Sequence, residues 1–508
     1  MKNFLHIILM LFPLCGISQN KMGYTWIVGN NASFGKFDGS SNTPTTGSLY
    51  TMAAPNYPYI FGGGHSNICD SATGKLLFLC NGMQVFDTLG NILENGDSLV
   101  PPKFYKHNAY PGTTLTQSSL IIPKGNNGLY YVFIPTISDS KYTYWLSNPL
   151  GDGRVPFDLL LYHVVDMNAN GGAGKVIEKN KLLLENTELH KTMMQACKHS
   201  NGVDWWLLKQ GAYGTNEIIR FLVTKDSIYG PYVQQFSEPA YVTYDMTGQF
   251  AFNTEGTQFA AVQGKTNKLF LADFDRCTGE LNNPKVFNIP IDSTGYPILD
   301  NQNWRDTMST GVCFSPNNHY IYIAKKTNIY QFEFTESDSL LAWYNVKRGA
   351  DTTWNAFENY GLLSKGPDSR IYIGKGNGGF KQFSVINNPN SKGAACGFCR
   401  KCFRVDNALG GLNSPPNMPD YTLGPSNKTC WPLATNQLSI QHEALEVYPN
   451  PSSSVFYIKN KQGKKKELFT MLGELLFTTT KDEIEVSRYS KGVYYLLCEQ
   501  AVRKVVVE

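Results

Sequence analysis

The sequence predicts an all-β protein in which a β-propeller of six to eight blades, with seven favoured, precedes a small C-terminal immunoglobulin-like β-sandwich. Three observations lead to this prediction. Aromatic residues make up 13% of the 508 residues and charged residues only 17%, a balance that favours strands over charged helices. Short apolar runs bounded by turn residues recur along residues 65–385. A stricter strand pattern then occupies residues 445–508.

The central runs share a strand–turn–strand template. Pro316 and Pro367 preset the backbone of two of the turns, and the residues after them suit the left-handed conformation that such turns need. Six apolar positions, 50 to 75 residues apart, mark the repeat: Leu76, Tyr130, Trp205, Phe259, Ile321 and Ile371. A propeller blade takes about 40 to 50 residues, so the spacing predicts blades with loop insertions. Residues 24–61 contain strands for a further blade, closing the ring against residues 383–386.

The chain begins with the pattern of a secretory signal peptide. Lys2 precedes an apolar stretch at residues 4–14, and the small residues Gly16 and Ser18 follow it. This stretch is too short to cross a bilayer, and no later stretch reaches about 18 apolar residues, so no transmembrane segment is expected. We therefore expect cleavage after Ser18 and passage through the periplasm.

The net charge does not predict a charged partner. A value of +4 at pH 7 is small for a chain of this length. Nucleic acids and anionic membranes are recognised by much denser positive charge, so neither is predicted as a partner.

Export makes disulfides the expected state of the cysteines. Cys69 and Cys80 flank a hairpin turn at residues 73–75, which predicts a bridge between adjacent strands. A second group consists of Cys396, Cys399, Cys402 and Cys430. Four thiols in this order could hold zinc or an iron–sulfur cluster. Because the spacing lacks the paired CxxC halves of a zinc ribbon, disulfides or separate thiols are favoured.

The common catalytic motifs are missing from the sequence. It has no HExxH and no GxSxG, and residues 172–175 lack the first Gly and the following Ser or Thr of a phosphate loop. Asp166, Asn168 and Asn170 imitate the first half of a calcium loop, but Ile177 stands at its twelfth position. A polar connection between strands is favoured there over a partial calcium site. No catalytic, cofactor-binding or metal-binding residue is assigned.

Six of the eight histidines are dispersed along the predicted propeller, at positions 65, 107, 163, 190, 199 and 319. Their spacing does not group them with carboxylates. A propeller brings distant loops together at its central channel, so a composite site of His, Asp and Glu residues there stays open as an alternative.

The C-terminal module has its turn and strand motifs in a fixed order. YPNP stands at Tyr448, Pro449, Asn450 and Pro451, MLGELL surrounds Gly473, and KGVYYLL contains Gly492, Val493 and Tyr494. Together these motifs predict a compact antiparallel sandwich. Their combination at the end of a chain with a signal peptide resembles the type A C-terminal sorting domain of the type IX secretion system. The resemblance implies passage across the outer membrane, with the type IX machinery as a partner.

Residues 24–400 resemble the WD40-like or YVTN-like propellers of secreted Bacteroidota proteins. Four segments carry this resemblance: residues 70–78, 165–172, 314–318 and 383–390. It implies a fold but hardly an activity, because propellers include both binding modules and enzymes.

The sequence therefore predicts a signal peptide at residues 1–18, a propeller with its closing loop at 19–430, a linker at 431–444 and the sorting domain at 445–508. The predicted function is that of an exported propeller, released or attached to the outer-membrane surface, which binds a protein or glycan partner. The alternative is a secreted hydrolase or lyase with a composite site at the channel, and the sequence leaves catalysis undecided.

Overall fold

The described strands of the first 404 residues form seven antiparallel sheets. The computed structural model describes residues 20–30, 33–37, 44–48, 60–61, 63–108, 112–113, 115–147, 155–212, 215–237, 247–291, 309–325, 328–338, 341–347, 360–375, 382–404, 414–428, 430, 445–459, 462–471, 474–498 and 501–508. We name the seven sheets blades 1 to 7 in chain order.

Blades 1 to 3 carry the two helices of the described chain. Blade 1 contains β1 (Thr25–Asn30), β2 (Ser33–Lys36), β3 (Thr45–Ser48) and β4 (Ile60–Phe61). Blade 2 contains β5 (Ser66–Cys69), β6 (Leu76–Cys80) and β7 (Val85–Phe86), and helix α1 (Pro102–Asn108) follows. Blade 3 contains β8 (Leu120–Pro123), β9 (Leu129–Thr136), β10 (Leu159–Asp166) and β11 (Lys175–Leu184), with helix α2 (Asp139–Ser147) between β9 and β10.

Blades 4 to 7 each have four strands in chain order. Blade 4 contains β12 (Leu189–Lys198), β13 (Trp205–Gly211), β14 (Glu217–Val223) and β15 (Ile228–Gln235). Blade 5 contains β16 (Gly248–Phe252), β17 (Gln258–Gln263), β18 (Lys268–Phe274) and β19 (Leu281–Asn288). Blade 6 contains β20 (Ser309–Phe314), β21 (Ile321–Lys325), β22 (Ile329–Phe332) and β23 (Trp343–Lys347). Blade 7 contains β24 (Tyr360–Lys365), β25 (Ile371–Lys375), β26 (Gln382–Ile386) and β27 (Phe398–Arg404).

The blades pack face to face, and first strands of neighbouring blades contact one another. Strand β12 contacts β16, β16 contacts β20, β20 contacts β24, and β5 contacts both β1 and β8. Apolar clusters fill the spaces between neighbouring blades. The ring closes where Trp26 of blade 1 meets Tyr372 of blade 7, with ring centroids 5.4 Å apart. This arrangement confirms the all-β propeller prediction, with seven blades among the described residues.

The six apolar markers all lie on the second strand of a blade, from β6 to β25. The turns before them use left-handed residues, as the template predicts: Asn318 has φ 59° and Gly256 has φ 66°. At Gly256 a Cβ atom would lie 2.7 Å from the Cys197 sulfur, so both the conformation and the space require glycine.

The predicted bridge between Cys69 and Cys80 is wrong. The register pairs Cys80 with Ser66, whereas Cys69 pairs with Leu76 next to a bulge. The two cysteines thus stand at opposite ends of the hairpin, about 10 Å apart at the usual rise along a strand. Both are buried free thiols. The structure instead joins Cys277 to Cys430 and Cys399 to Cys402.

The C-terminal module is a two-sheet sandwich. Its strands are β28 (Val447–Tyr448), β29 (Val455–Ile458), β30 (Lys466–Thr470), β31 (Leu475–Thr479), β32 (Glu483–Glu485), β33 (Gly492–Cys498) and β34 (Ala501–Val507). One sheet has the order β28-β29-β32 and the other β31-β30-β33-β34. Their inner faces share a core that includes Phe456, Leu468 and Val505. Among the described residues, no helix has the length and apolar character to cross a membrane.

Candidate ligand pocket at the channel mouth

A chain segment after the last blade crosses one mouth of the central channel. We call this segment, residues 414–430 without the undescribed residue 429, the strap. At its centre the Asn417 amide donates to the carbonyl oxygens of Ser119 (2.9 Å) and Met194 (3.1 Å). The Asn417 oxygen accepts from Gln117 and Gln195, and its backbone N–H donates to the His65 carbonyl. Asn417 therefore connects blades 2 and 4 with the segment that enters blade 3.

The outer half of the strap is held at the turns of blades 4 and 5. The Arg276 guanidinium donates to the carbonyls of Lys198, His199, Glu255 and Gly424. The Lys428 amine lies 2.6 Å from an Asp275 carboxylate oxygen. The disulfide between Cys277 and Cys430, with Cα atoms 5.3 Å apart, fixes the end of the strap.

Buried amides also connect the strands inside the channel. The Gln249 oxygen accepts from the backbone N–H groups of Val312 and Leu363, and its amide donates to the Leu363 carbonyl. Gln117 makes the same paired bonds with the Phe250 backbone. These backbone N–H and carbonyl groups are buried and need hydrogen-bond partners. The Gln249 and Gln117 amides provide them and so connect segments that are far apart in the chain.

Next to the strap lies a pocket of about 310 Å³. Its walls come from the N-terminal residues 20–26, the first strands of blades 4 to 7 and residues 416–423 of the strap. The lining combines aromatic rings with hydroxyl and amide groups: Tyr24, Trp26, Phe252, Phe314, Tyr421, Asn20, Asn253, Thr254, Ser364, Ser369 and Thr422. A concave site of this kind can bind a ligand that has both apolar faces and hydrogen-bonding groups.

Lys365 and Asp420 form an ion pair in the described lining of the pocket. The Lys365 amine lies 3.2 Å from an Asp420 carboxylate oxygen, and the other Asp420 oxygen accepts from the backbone N–H of Thr422 at 2.9 Å and from its hydroxyl. Burial alone would raise the pKa of the Asp420 carboxyl, but Lys365 and Thr422 outweigh burial and hold that pKa below its ordinary value. Asp420 is the acidic residue of the described pocket lining, and it is ionised and paired.

In the described structure, the residues of the candidate calcium loop form the hydrogen bonds of a turn. One Asp166 oxygen accepts from the Asn168 backbone N–H (2.8 Å), and the Asn168 amide donates to the Asn127 carbonyl (2.7 Å). Asn170 begins a short 3₁₀ turn with φ 53°. These bonds correspond to the polar connection between β10 and β11. Across the described residues, no group of three His, Cys, Asp or Glu residues is placed to hold a metal.

Three of the histidines and both residues of the Trp205–Trp206 pair make structural contacts between blades or with the strap. His65 bonds to the Ile27 carbonyl (2.7 Å), His190 to the Gln263 amide (2.8 Å) and His199 to the Cys277 carbonyl (3.2 Å). The buried Trp206 donates to the Arg276 carbonyl. The Trp205 ring packs on Tyr421 of the strap, with centroids 6.0 Å apart.

Sequence reasoning did not place the pocket, because its walls come from segments far apart in the chain. One local signal was present in residues 414–423, which read SPPNMPDYTL. Three prolines favour an extended chain, and Met418 and Tyr421 are larger and more apolar than a solvated linker requires. This pattern indicates a segment that packs on the propeller.

The sorting motifs lie where the C-terminal sandwich closes. The Asn450 amide donates to the Lys504 carbonyl, and its oxygen accepts from the Val506 N–H, both at 2.8 Å. The motif therefore connects the first turn to the last strand. Gly492 and Val493 begin β33, and the Tyr494 hydroxyl donates to the Ser490 carbonyl (2.7 Å). Gly473, the leader and the linker lie outside the described residues.

Several solved structures are similar to this chain at low identity. Apo AztD from Citrobacter koseri is 9% identical, with 77% of this chain and 97% of that chain covered and a TM-score of 0.35. The periplasmic gluconolactonase PpgL of Pseudomonas aeruginosa is 12% identical, with 84% and 94% covered and a TM-score of 0.34. The Dos1 propeller is 10% identical, with 69% and 72% covered and a TM-score of 0.33. Because these TM-scores are low, the fold is assigned from the ring of seven described sheets and not from these similarities.

The C-terminal module also matches a known family. Residues 446–508 match the model described as the secretion system C-terminal sorting domain. Among curated proteins, none matches the chain. The chain is therefore a β-propeller, with seven blades among its described residues, followed by a secretion system C-terminal sorting domain, which marks it for export by the type IX secretion system to the cell surface or the medium.

Proposed function

We propose that the propeller is an exported binding module and that the pocket beside the strap binds a short, uncharged glycan. The observation that carries this proposal is the lining, in which aromatic residues and residues with hydroxyl or amide groups surround a space of about 310 Å³. Sugar rings present apolar C–H faces and many hydroxyls, and therefore match such a surface. The volume lies at the lower end of small-molecule sites.

The charges of the lining support an uncharged ligand. Lys365 and Asp420 neutralise each other at 3.2 Å, so a cation or an anion would have to compete with the existing pair. A folded protein partner would meet a concave pocket, whereas standard protein interfaces bury about 800 Å² on each partner. A glycan therefore agrees better with the lining than the protein ligand that the sequence left open.

The Asp420 carboxylate is also relevant to the alternative that the protein is a hydrolase or lyase. Glycoside hydrolysis uses two carboxyl groups, one of which stays protonated near neutral pH because its pKa is raised. Asp420 has its pKa held below the ordinary value, and Lys365 occupies one of its oxygens. It thus has the properties of a structural carboxylate and not those of a general acid.

A glycan array followed by calorimetry tests the proposal. The chain from residue 19 to 508 should bind a defined set of neutral glycans. Ser364→Trp, which places an indole ring in the pocket, should weaken binding by at least about tenfold, since a filled pocket cannot admit the ligand. Ser337→Trp on an exposed turn of blade 6 is the matched control and should bind like the unmodified chain.

Two outcomes would overturn this function. If both tryptophan variants bind equally well, the ligand site lies elsewhere. If the bound glycan is cleaved and Asp420→Asn abolishes the cleavage, the protein is the hydrolase or lyase of the alternative. Circular dichroism of each variant shows that the propeller is still folded.

A further inference from the structure

The Cys399–Cys402 disulfide lies on the outermost strand of blade 7. It joins two residues of β27 whose Cα atoms are 5.7 Å apart, with only Arg400 and Lys401 between them. Cys402 is exposed and Cys399 is half-buried. Among the described strands the bond therefore lies at the outer edge of the sheet and is exposed to solvent at Cys402. In the Cys277–Cys430 bond, Cys277 is only 6% exposed and Cys430 is half-buried.

The backbone makes this disulfide project from the sheet. Phe383 pairs with Phe403 and Val385 with Cys399, so residues 400–402 all stand opposite Ser384 alone. Lys401 takes the left-handed conformation (φ 56°), and its N–H donates to the Ser384 hydroxyl at 3.3 Å. The disulfide thus closes a bulge that leaves the plane of the blade, and an incoming sulfur can approach it.

The charge of the bulge suits thiolate chemistry. Arg400 and Lys401 place two cations directly between the sulfur-bearing residues. A positive environment stabilises a thiolate, both as the leaving group and as the nucleophile in the reverse reaction. Cys396, three residues before Cys399, differs because its thiol is buried beside Tyr322, and burial raises its pKa. Arg400 and Lys401 therefore favour thiolate exchange at the Cys399–Cys402 pair over the buried Cys396.

We propose that Cys399 and Cys402 form a thiol–disulfide exchange site whose substrates are exposed dithiols of other molecules. A substrate thiolate attacks the Cys402 sulfur, which forms a mixed disulfide and releases Cys399 as a thiolate. The second substrate thiol, as its thiolate, then attacks the substrate sulfur of the mixed disulfide and releases Cys402. The substrate dithiol becomes a disulfide, the Cys399–Cys402 disulfide becomes a dithiol, and the two protons of the substrate pass to the two cysteines.

The first test compares the two disulfides of the chain. The chain from residue 19 to 508 is purified without reductant, treated briefly with dithiothreitol and alkylated, and the labelled cysteines are identified by mass spectrometry. Cys399 and Cys402 should become labelled at least about tenfold faster than Cys277 and Cys430, because exchange depends on access and on the leaving thiol. Equal labelling rates would overturn the proposal.

The second test measures turnover with a protein substrate. With dithiothreitol as the electron source, the unmodified chain should speed the reduction of insulin disulfides through the reverse of the proposed steps. Cys399→Ser/Cys402→Ser should not, and Arg400→Ser/Lys401→Ser should be slower by about three- to tenfold, because the thiolates lose their cations. If Cys399→Ser/Cys402→Ser speeds insulin reduction as much as the unmodified chain does, the proposal is contradicted. This site and its tests are independent of the glycan pocket.

Discussion

Several buried side chains stabilise the propeller by hydrogen bonds to the backbone of a distant chain segment. Asn417 satisfies two carbonyl groups and Gln249 satisfies the Leu363 backbone on both its N–H and its carbonyl. Removing such a partner leaves buried polar groups unpaired, which costs about 1–3 kcal/mol for each group. The sequence does not single out these residues, because Asn417 stands in a stretch with several other Asn, Pro and Ser residues.

His163 on β10 shows how such contacts fix a protonation state. Its Nδ1 accepts a hydrogen bond from the Asn180 backbone N–H at 3.0 Å, so the neutral ring carries its proton on Nε2. The described structure gives Nε2 no hydrogen-bond partner, and the ring is fully buried. Burial, with a smaller contribution from the nearby Lys179 charge, lowers the pKa of His163 to about 3.

This pKa predicts a loss of stability in mild acid. As the pH falls below about 6.5, the unfolded chain binds a proton at residue 163 while the folded protein stays neutral until about pH 3. The stability that the folded protein gains from the neutral His163 is therefore fully present above about pH 6.5. As the pH falls from about 6.5 to about 3, this residue lowers the free energy of unfolding by up to about 1.4 kcal/mol per pH unit. His163→Gln should flatten the dependence, as measured by urea unfolding from pH 7.5 to 4. His107→Gln, at an exposed helical position, is the control. Equal slopes for the two variants would contradict the assignment.

At the scale of elements, the strap is held by side chains and not by a sheet ladder. Its described backbone makes few regular bonds, such as the Ser426 N–H to the Ser200 carbonyl at 2.9 Å. Asn417, Arg276 and the Cys277–Cys430 disulfide hold it in place. One wall of the pocket is part of this segment, so the shape of the pocket depends on the disulfide that ends it.

Removing the disulfide should release the strap. The bond closes a loop with a sequence separation of 153, so Cys277→Ser/Cys430→Ser should lower the free energy of unfolding by about 2–5 kcal/mol. Urea unfolding gives this value, and limited proteolysis should cut the variant between residues 414 and 430. Cys399→Ser/Cys402→Ser is the matched control, because its bond has a separation of only 3 and constrains the unfolded chain much less. A strap that resists protease equally in both variants would show that hydrogen bonds alone hold it.

The wrong prediction of a disulfide between Cys69 and Cys80 shows that the sequence pattern predicts strands but not their register. The turn at residues 73–75 and the apolar run at residues 76–80 indicate a hairpin, and residues 66–69 and 76–80 do form its strands. The register depends on a bulge between Ile68 and Cys69, which shifts the partner of Cys69 to Leu76. Residues 76–80 are apolar at every position, so this run contains no alternation that would reveal the bulge or which side chains stand opposite each other.

At the scale of the whole molecule, the sequence predicts the repeating architecture well and the pocket not at all. The markers of blades 3 to 7 are buried on the second strand, and Leu76 of blade 2 is half-buried there, so the same strand recurs along the chain. The sorting domain is equally visible, because its motifs are local. The pocket instead combines residues 20–26, four blades and the strap, and its lining becomes apparent only after ring closure.

The molecule contains two separate cores, which suggests where the exported propeller ends. The propeller clusters involve residues up to 423, and the sandwich cluster begins at Leu445. Cys430 is the last described residue before the sandwich, and its disulfide ties it to blade 5. We therefore expect the folded propeller unit to be residues 19–430, with residues 431–444 as the connection to the sorting domain.

Two truncations test this boundary. A chain of residues 19–430 keeps every described contact of the strap, so its thermal midpoint should match that of the propeller transition in the full chain. A chain of residues 19–413 loses Asn417, the Arg276–Gly424 bond and the disulfide partner of Cys277. These losses together amount to at least about 4 kcal/mol, and each kcal/mol lowers the midpoint of a domain of this size by about 1 °C, so the shorter chain should melt at least about 4 °C lower. Scanning calorimetry of both chains, with glycan binding as a second readout, decides between an integral strap and a dispensable one. Equal midpoints would mean that the blades alone define the folded unit and that the strap belongs with the linker.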